Sequence, residues 1–118
     1  MKKILYVDDA SSMRKLVQMV LGKEFNLTMA NNGLEGLEAI KKENFDVIIS
    51  DINMPVMTGL QLLEKLRQLE KTKYTPVLMM TTEASDEMKA EGKRLAATGW
   101  IVKPFDPDKL SSIIHRVI

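Results

Sequence analysis

Asp8-Asp9, Asp51, Thr81-Thr82 and Lys103 each stand directly behind a short apolar run: Ile4 to Val7, Val47 to Ser50, Val77 to Met80 and Trp100 to Val102. If those runs are parallel strands of one sheet, the residues behind them share the rim at the strands' carboxyl ends, where open α/β sheets bind ligands. Three carboxylates held together repel one another and raise each other's pKa values unless a cation neutralises them. Oxygen donors with no neighbouring His or Cys suit magnesium or manganese, and magnesium keeps several waters, which leaves room for a phosphoryl oxygen. Lys103 would then pair with that phosphoryl group, and the Thr81 hydroxyl would bond another of its oxygens. A carboxylate can itself be the nucleophile and form an acyl phosphate, with cation and lysine stabilising the transferring charge. The chemistry this set supports is phosphoryl transfer onto an aspartate. Asp46 serves as a control: it opens the Val47 run at the other end, about 16 Å from Asp51 at about 3.3 Å per residue, and should be structural or solvated.

The elements that must hold these residues follow from periodicity. A fifth run, Leu27 to Ala30, completes a set of five, and most runs are apolar at consecutive positions, as in strands covered on both faces by helices. Between the runs, Met13, Leu16, Val17, Val20 and Leu21 recur with helical spacing and predict one buried face; Leu110, Ile113, Ile114, Val117 and Ile118 repeat that spacing. Leu62, Leu63, Leu66 and Leu69 mark a further helix, and Leu37 with Ile40 a shorter one behind the Asn31-Asn32-Gly33 turn. The segment 85–97 has only Met88, Gly92, Leu95 and Ala96 for an inner face, among many charges, and is the most weakly anchored helix. Asp106-Pro107 reads as the cap and first position of the last helix. Strand and helix thus alternate throughout, the pattern of an α/β domain with a parallel sheet, and residues 1–118 are expected to form one unit.

Composition narrows the classes of function. Of 118 residues 45% are apolar and 28% charged, enough for one buried core and too few for two. A net charge of +1 without a run of like charges disfavours a grip on nucleic acid or anionic lipid. The absence of cysteine excludes disulfides and thiolate chemistry. No apolar stretch has the length of a signal peptide core or a membrane span, so the expected location is the cytoplasm.

Asp8-Asp9, the stretch Ser50-Asp51-Ile52-Asn53-Met54-Pro55 ending at Gly59, Thr81, and Lys103-Pro104-Phe105 resemble, in order and spacing, the receiver domain of two-component response regulators over essentially the whole chain. Within that family the stretches 78–84 and 97–105 are most similar to the single-domain chemotaxis regulators of the CheY type. The resemblance implies a doubly wound (βα)5, flavodoxin-like fold with strand order 2-1-3-4-5. It makes Asp51 the phosphoacceptor and Asp9 a magnesium ligand, with Asp8 assisting through water and Asn53 supplying its backbone carbonyl. It gives Thr81 and Lys103 the phosphoryl-sensing roles already argued from position. It also implies a cis Lys103-Pro104 bond, which proline's small penalty permits. Asn53 and Glu83 occupy the positions that modulate acyl-phosphate lifetime in the family. Trp100 stands where the family commonly has a Tyr or Phe switch; plain core packing is the competing reading of so large a ring.

The resulting expectation is a response regulator phosphorylated on Asp51 by a histidine kinase of the CheA type, not an enzyme in the ordinary sense. The chain stops after its last helix, so its output would be exerted on another molecule: the flagellar motor switch, or a relay partner if the domain is a phosphorelay intermediate or phosphate sink. A phosphatase that removes the phosphoryl group is a further expected partner; the domain itself is expected to be monomeric. A haloacid-dehalogenase-like phosphatase is the alternative from another class, but it needs a second aspartate two residues after the nucleophile, where this chain has Asn53. His115 falls between the apolar positions of the last helix and is read as exposed.

Overall fold

The computed structural model describes residues 1–82 and 85–118. Glu83, one of the two modulating positions named above, lies outside the described residues. The chain runs β1 (Lys3–Val7), α1 (Ser11–Leu21), β2 (Asn26–Ala30), α2 (Gly33–Lys42), β3 (Val47–Asp51), α3 (Gly59–Arg67), a 3-10 turn (Glu70–Thr72), β4 (Val77–Thr81), α4 (Asp86–Arg94), β5 (Gly99–Val102) and α5 (Pro107–Val117). The five strands form one parallel sheet in the order β2-β1-β3-β4-β5.

Side chains alternate across a strand, so each central strand feeds two cores. Leu5 and Val7 of β1 pack with Leu37, Ile40, Leu62, Leu63 and Leu66 from α2 and α3, whereas Ile4 and Tyr6 pack with Val17, Leu21, Leu110 and Ile114 from α1 and α5. Complete burial of a leucine or isoleucine contributes about 1.5–3 kcal/mol, so these two layers hold the helices against the sheet. The helix starts are set locally. Asn32, Thr58, Ser85 and Asp106 each accept from a backbone N–H of the first turn, Thr58 with Gln61 forms a reciprocal capping box, and Pro107 follows Asp106 as read from the sequence.

The inner faces need three corrections. Leu16 is 38% exposed, because α1 rests on the sheet through Val17 and Leu21 and turns Leu16 aside. Ile118 lies past the end of α5 and is exposed. Helix α4 stops at Arg94, and Ala96 is exposed in the left-handed region at φ 61°, so the inner face of this segment is Gly92 and Leu95, with Met88 half-buried. The outer strands β2 and β5 are also less covered than consecutive apolar residues suggest, since each lies at a sheet edge.

Candidate phosphoacceptor and cation site

Register brings the acidic residues together. Strands β1 and β3 are neighbours with Val7 opposite Ser50, so Asp8, the next residue along, comes level with Asp51 at the end of β3. On the other side Asp51 pairs with Met80, and Thr81 with Val102, which places Thr81 and Lys103 at the same rim. The Lys103 N–H donates to the Thr81 carbonyl at 2.8 Å, and the Lys103-Pro104 bond is cis, as the resemblance implied. Helix α3 starts tight against this end: the Gly59 N–H donates to the Ile52 carbonyl at 2.9 Å, and a side chain at Gly59 would overlap the Asp51 carbonyl oxygen.

Carboxylate oxygens of Asp8, Asp9 and Asp51 lie within 4.8 Å of one another. Asp8 and Asp51 are buried, whereas Asp9 is exposed and keeps the cluster open to solvent. The Lys103 ammonium is 2.8 Å from Asp51 Oδ2 and 3.3 Å from Asp8 Oδ2. Burial pushes the Asp51 carboxyl above its ordinary pKa; the hydrogen bond and charge of Lys103 offset this in part, and the charge of Asp8 adds to the rise. At Lys103 burial disfavours the ammonium, but the hydrogen bond to Asp51 and the charges of Asp8 and Asp51 outweigh it, and its pKa is raised. One ammonium does not neutralise three carboxylates. An all-oxygen set with one solvent-facing member fits a hard divalent cation, which would add the missing positive charge.

The other residues singled out in the sequence lie as follows. Thr81 is buried at the end of β4, Thr82 is exposed beyond it, and Asn53 is exposed two residues past Asp51. Trp100 is half-buried and its ring lies on Gly92 of α4. Asp46 accepts from the Lys3 N–H at 2.8 Å at the opposite end of the sheet, which makes it structural. His115 is exposed and pairs with Glu24 at 3.3 Å.

Two residues that the sequence reading passed over complete the site. The buried Tyr6 hydroxyl donates to Asp8 Oδ2 at 2.9 Å, and Arg14 donates from Nη1 to the Asp8 carbonyl oxygen at 2.7 Å. Burial, with the negative charge of Asp8 beside it, pushes the Tyr6 phenol well above its ordinary range, so it stays a donor. The signal for Tyr6 was available, since residues two apart on a strand share a face. Arg14 reaches back from the first turn of α1, which strand periodicity does not reveal.

The family model of the response regulator receiver domain matches residues 4–115. The chain is 43% identical over 121 residues to the chemotaxis protein CheY-3 of Vibrio cholerae, covering 98% of this chain and 93% of that protein. It is 36% identical over 116 residues to a probable transcriptional regulator ycf29 of Porphyra purpurea, covering 98% of this chain but only 56% of that longer protein. Among solved structures, CheY4 of Vibrio cholerae superposes with a TM-score of 0.96 at 47% identity, covering 100% of this chain and 99% of that one.

Proposed function

This chain belongs to the response regulator receiver domain family, and from that premise we propose that it is a cytoplasmic chemotaxis response regulator, phosphorylated on Asp51 by a histidine kinase in a magnesium-dependent reaction. The observation that carries the reading is the Lys103 ammonium bridging Asp51 and Asp8 inside an all-oxygen cluster at the sheet's rim. A carboxylate oxygen of Asp51 attacks the phosphorus, the phosphorus–nitrogen bond of the kinase's phosphohistidine breaks, and its electron pair stays with the imidazole, which takes up a proton. Asp9 with Asp8, Asp51 and the Asn53 carbonyl would hold the magnesium ion, which supplies charge neutralisation on the transferring group. Lys103, already hydrogen-bonded to Asp51, pairs with the phosphoryl oxygens as they arrive, and the Thr81 hydroxyl takes another.

The similarity to chemotaxis proteins over almost their full length supports a motor-switch partner and a CheA-type kinase. Helix α4, whose buried residues are few, and β5 with Trp100 are the elements that reposition when Thr81 and Lys103 engage the phosphoryl group. The phosphoryl group shifts the balance only by its differential interaction with the two conformations. Incubation with acetyl phosphate and magnesium should add one phosphate by mass spectrometry, with none added to Asp51→Asn or in the presence of chelator. Uptake by Asp51→Asn would overturn the assignment. Pull-down of the phosphorylated protein against motor-switch peptide and histidine phosphotransfer domains separates motor control from a relay or phosphate-sink role.

A further inference from the structure

Tyr6 is an unusual occupant of its position. The cluster around it consists of Ile4, Val17, Leu21, Ile49, Met80 and other apolar side chains, and it is itself completely buried. Phenylalanine would fill that space equally well, and a buried hydroxyl needs a partner. Its partner is Asp8 Oδ2 at 2.9 Å, the same oxygen that faces Lys103 at 3.3 Å. The other oxygen, Oδ1, accepts from the Ala10 N–H at 3.0 Å.

Asp8 and Asp51 therefore compete for one ammonium, and the competition is unequal. Lys103 Nζ sits at 2.8 Å from Asp51, an ordinary charge-assisted distance, and 0.5 Å farther from Asp8 (3.3 against 2.8 Å) although both carboxylates are buried. A carboxylate oxygen carries two lone-pair sites, and on Asp8 Oδ2 the phenol holds one of them with a shorter bond than the ammonium makes. The phenol thereby satisfies part of the demand that Asp8 would otherwise place on Lys103.

Resting on the phosphoacceptor reading above, we propose that Tyr6 is a positioning residue: by donating to Asp8 Oδ2 its hydroxyl keeps Lys103 on the Asp51 side of the site, where the phosphoryl group arrives. It acts through Asp8, to which its hydroxyl donates. No strand residue other than Tyr6 is needed for this, because Tyr6 and Asp8 lie two apart on the same side of the chain as it leaves β1.

The test is Tyr6→Phe, which keeps the ring in its apolar surroundings. In crystals of the metal-free variant, the Lys103 Nζ to Asp8 Oδ2 separation should close to the ordinary charge-assisted distance while the separation from Asp51 widens. The initial rate of phosphorylation by acetyl phosphate should fall about tenfold. In the Asp8→Asn background the same substitution should leave the Lys103 Nζ to Asp51 distance of the metal-free protein unchanged, whereas a purely structural role predicts the same displacement in both backgrounds. Unchanged Lys103 distances in Tyr6→Phe, or an equal displacement in both backgrounds, would overturn the inference. Should Tyr6→Phe not fold, Tyr6→Met is the second variant that lacks the hydroxyl: the same displacement of Lys103 toward Asp8 is expected in it, and unchanged Lys103 distances overturn the inference. The distance readout uses neither phosphate nor metal, so failure of Asp51 to accept phosphate would sink the receiver chemistry without touching it.

Discussion

Gly92 of α4 lies against the indole of Trp100 on β5 so closely that a methyl group at Gly92 would overlap the ring at Cζ2. Glycine in a helix interior costs about 1 kcal/mol relative to alanine, and here the cost makes room for the largest side chain. Gly92 is the one fully buried residue of helix α4, and this contact, with the half-buried Met88 packed on the core and Leu95 just beyond, seats the helix on the sheet.

Gly92→Ala should therefore destabilise the protein by about 1 kcal/mol net, the overlap of about 1–3 kcal/mol exceeding the gain in helix propensity. With Trp100→Tyr in place, the same substitution should become neutral or stabilising. Urea denaturation of the four proteins in this cycle measures the coupling, and a stabilising Gly92→Ala in the native background would contradict the packing argument.

Val56, like Ala96, holds a positive φ without being glycine. It is exposed at the surface with φ 72°, inside a three-residue turn in which the Met57 N–H donates to the Pro55 carbonyl at 2.8 Å. A β-branched residue is poorly suited to positive φ, and such a conformation costs about 1–3 kcal/mol. Val56→Asn, which tolerates that region, should raise stability by about 1 kcal/mol in denaturant unfolding. A loss of stability would show that the valine side chain makes a contact worth more than the strain.

Arg67 closes the end of α3 onto the turn that follows it and onto the distant segment at Leu95 and Ala96. Its guanidinium donates to the carbonyls of Thr72 and Thr75 at 2.7 Å, Ala96 at 2.8 Å and Leu95 at 3.3 Å. These bonds hold the turn at Ala96, where the backbone is left-handed. Arg67→Met should cost about 3 kcal/mol, and Arg67→Lys should recover little of it, because one ammonium cannot span four carbonyls arranged for a planar fork. Thermal unfolding of both variants tests this, and near-native stability of Arg67→Lys would refute it.

The acidic site makes stability depend on pH with a definite sign. Asp51 has its folded pKa raised, so its contribution is favourable when protonated, below its unfolded value of 3.8, and is lost as pH rises through the folded value. Asp51→Asn should consequently raise the melting temperature of the metal-free protein at neutral pH, by about 4 °C if the relief is about 1 kcal/mol. The difference should shrink as pH falls through the raised folded value and be gone below 3.8. Lys103 has its folded pKa raised above 10.5, so its contribution is present below 10.5 and lost at higher pH. Melting curves of wild type, Asp51→Asn and Lys103→Gln between acid and strongly alkaline pH check both signs; a melting temperature of Asp51→Asn below wild type at neutral pH would reverse the first.

Much of this was legible in the residues before any coordinates. Alternating apolar runs and helical periods indicated five strands, and the residues standing behind those runs marked Asp8, Asp9, Asp51, Thr81 and Lys103 as rim groups, because both signals are local: they depend on repeats of two and 3.6 residues. The cap at Asp106 is local for the same reason, whereas Asn32 was read only as part of a turn and caps α2. What the periods could not supply was which of several equivalent faces is covered. Leu16 fits the apolar stripe of α1 and is nonetheless left partly in solvent, since that depends on how α1 is rotated against the sheet.

The sequence alone determined the kind of groups at the site and the order of the elements that carry them. Tertiary structure decided how those groups divide their interactions: that Lys103, far along the chain from both carboxylates, leans toward Asp51, that Tyr6 holds Asp8, and that Gly92 receives Trp100. The physical reason is range. Hydrogen bonds and van der Waals overlap are settled over tenths of an ångström between residues that only strand register and helix packing bring together.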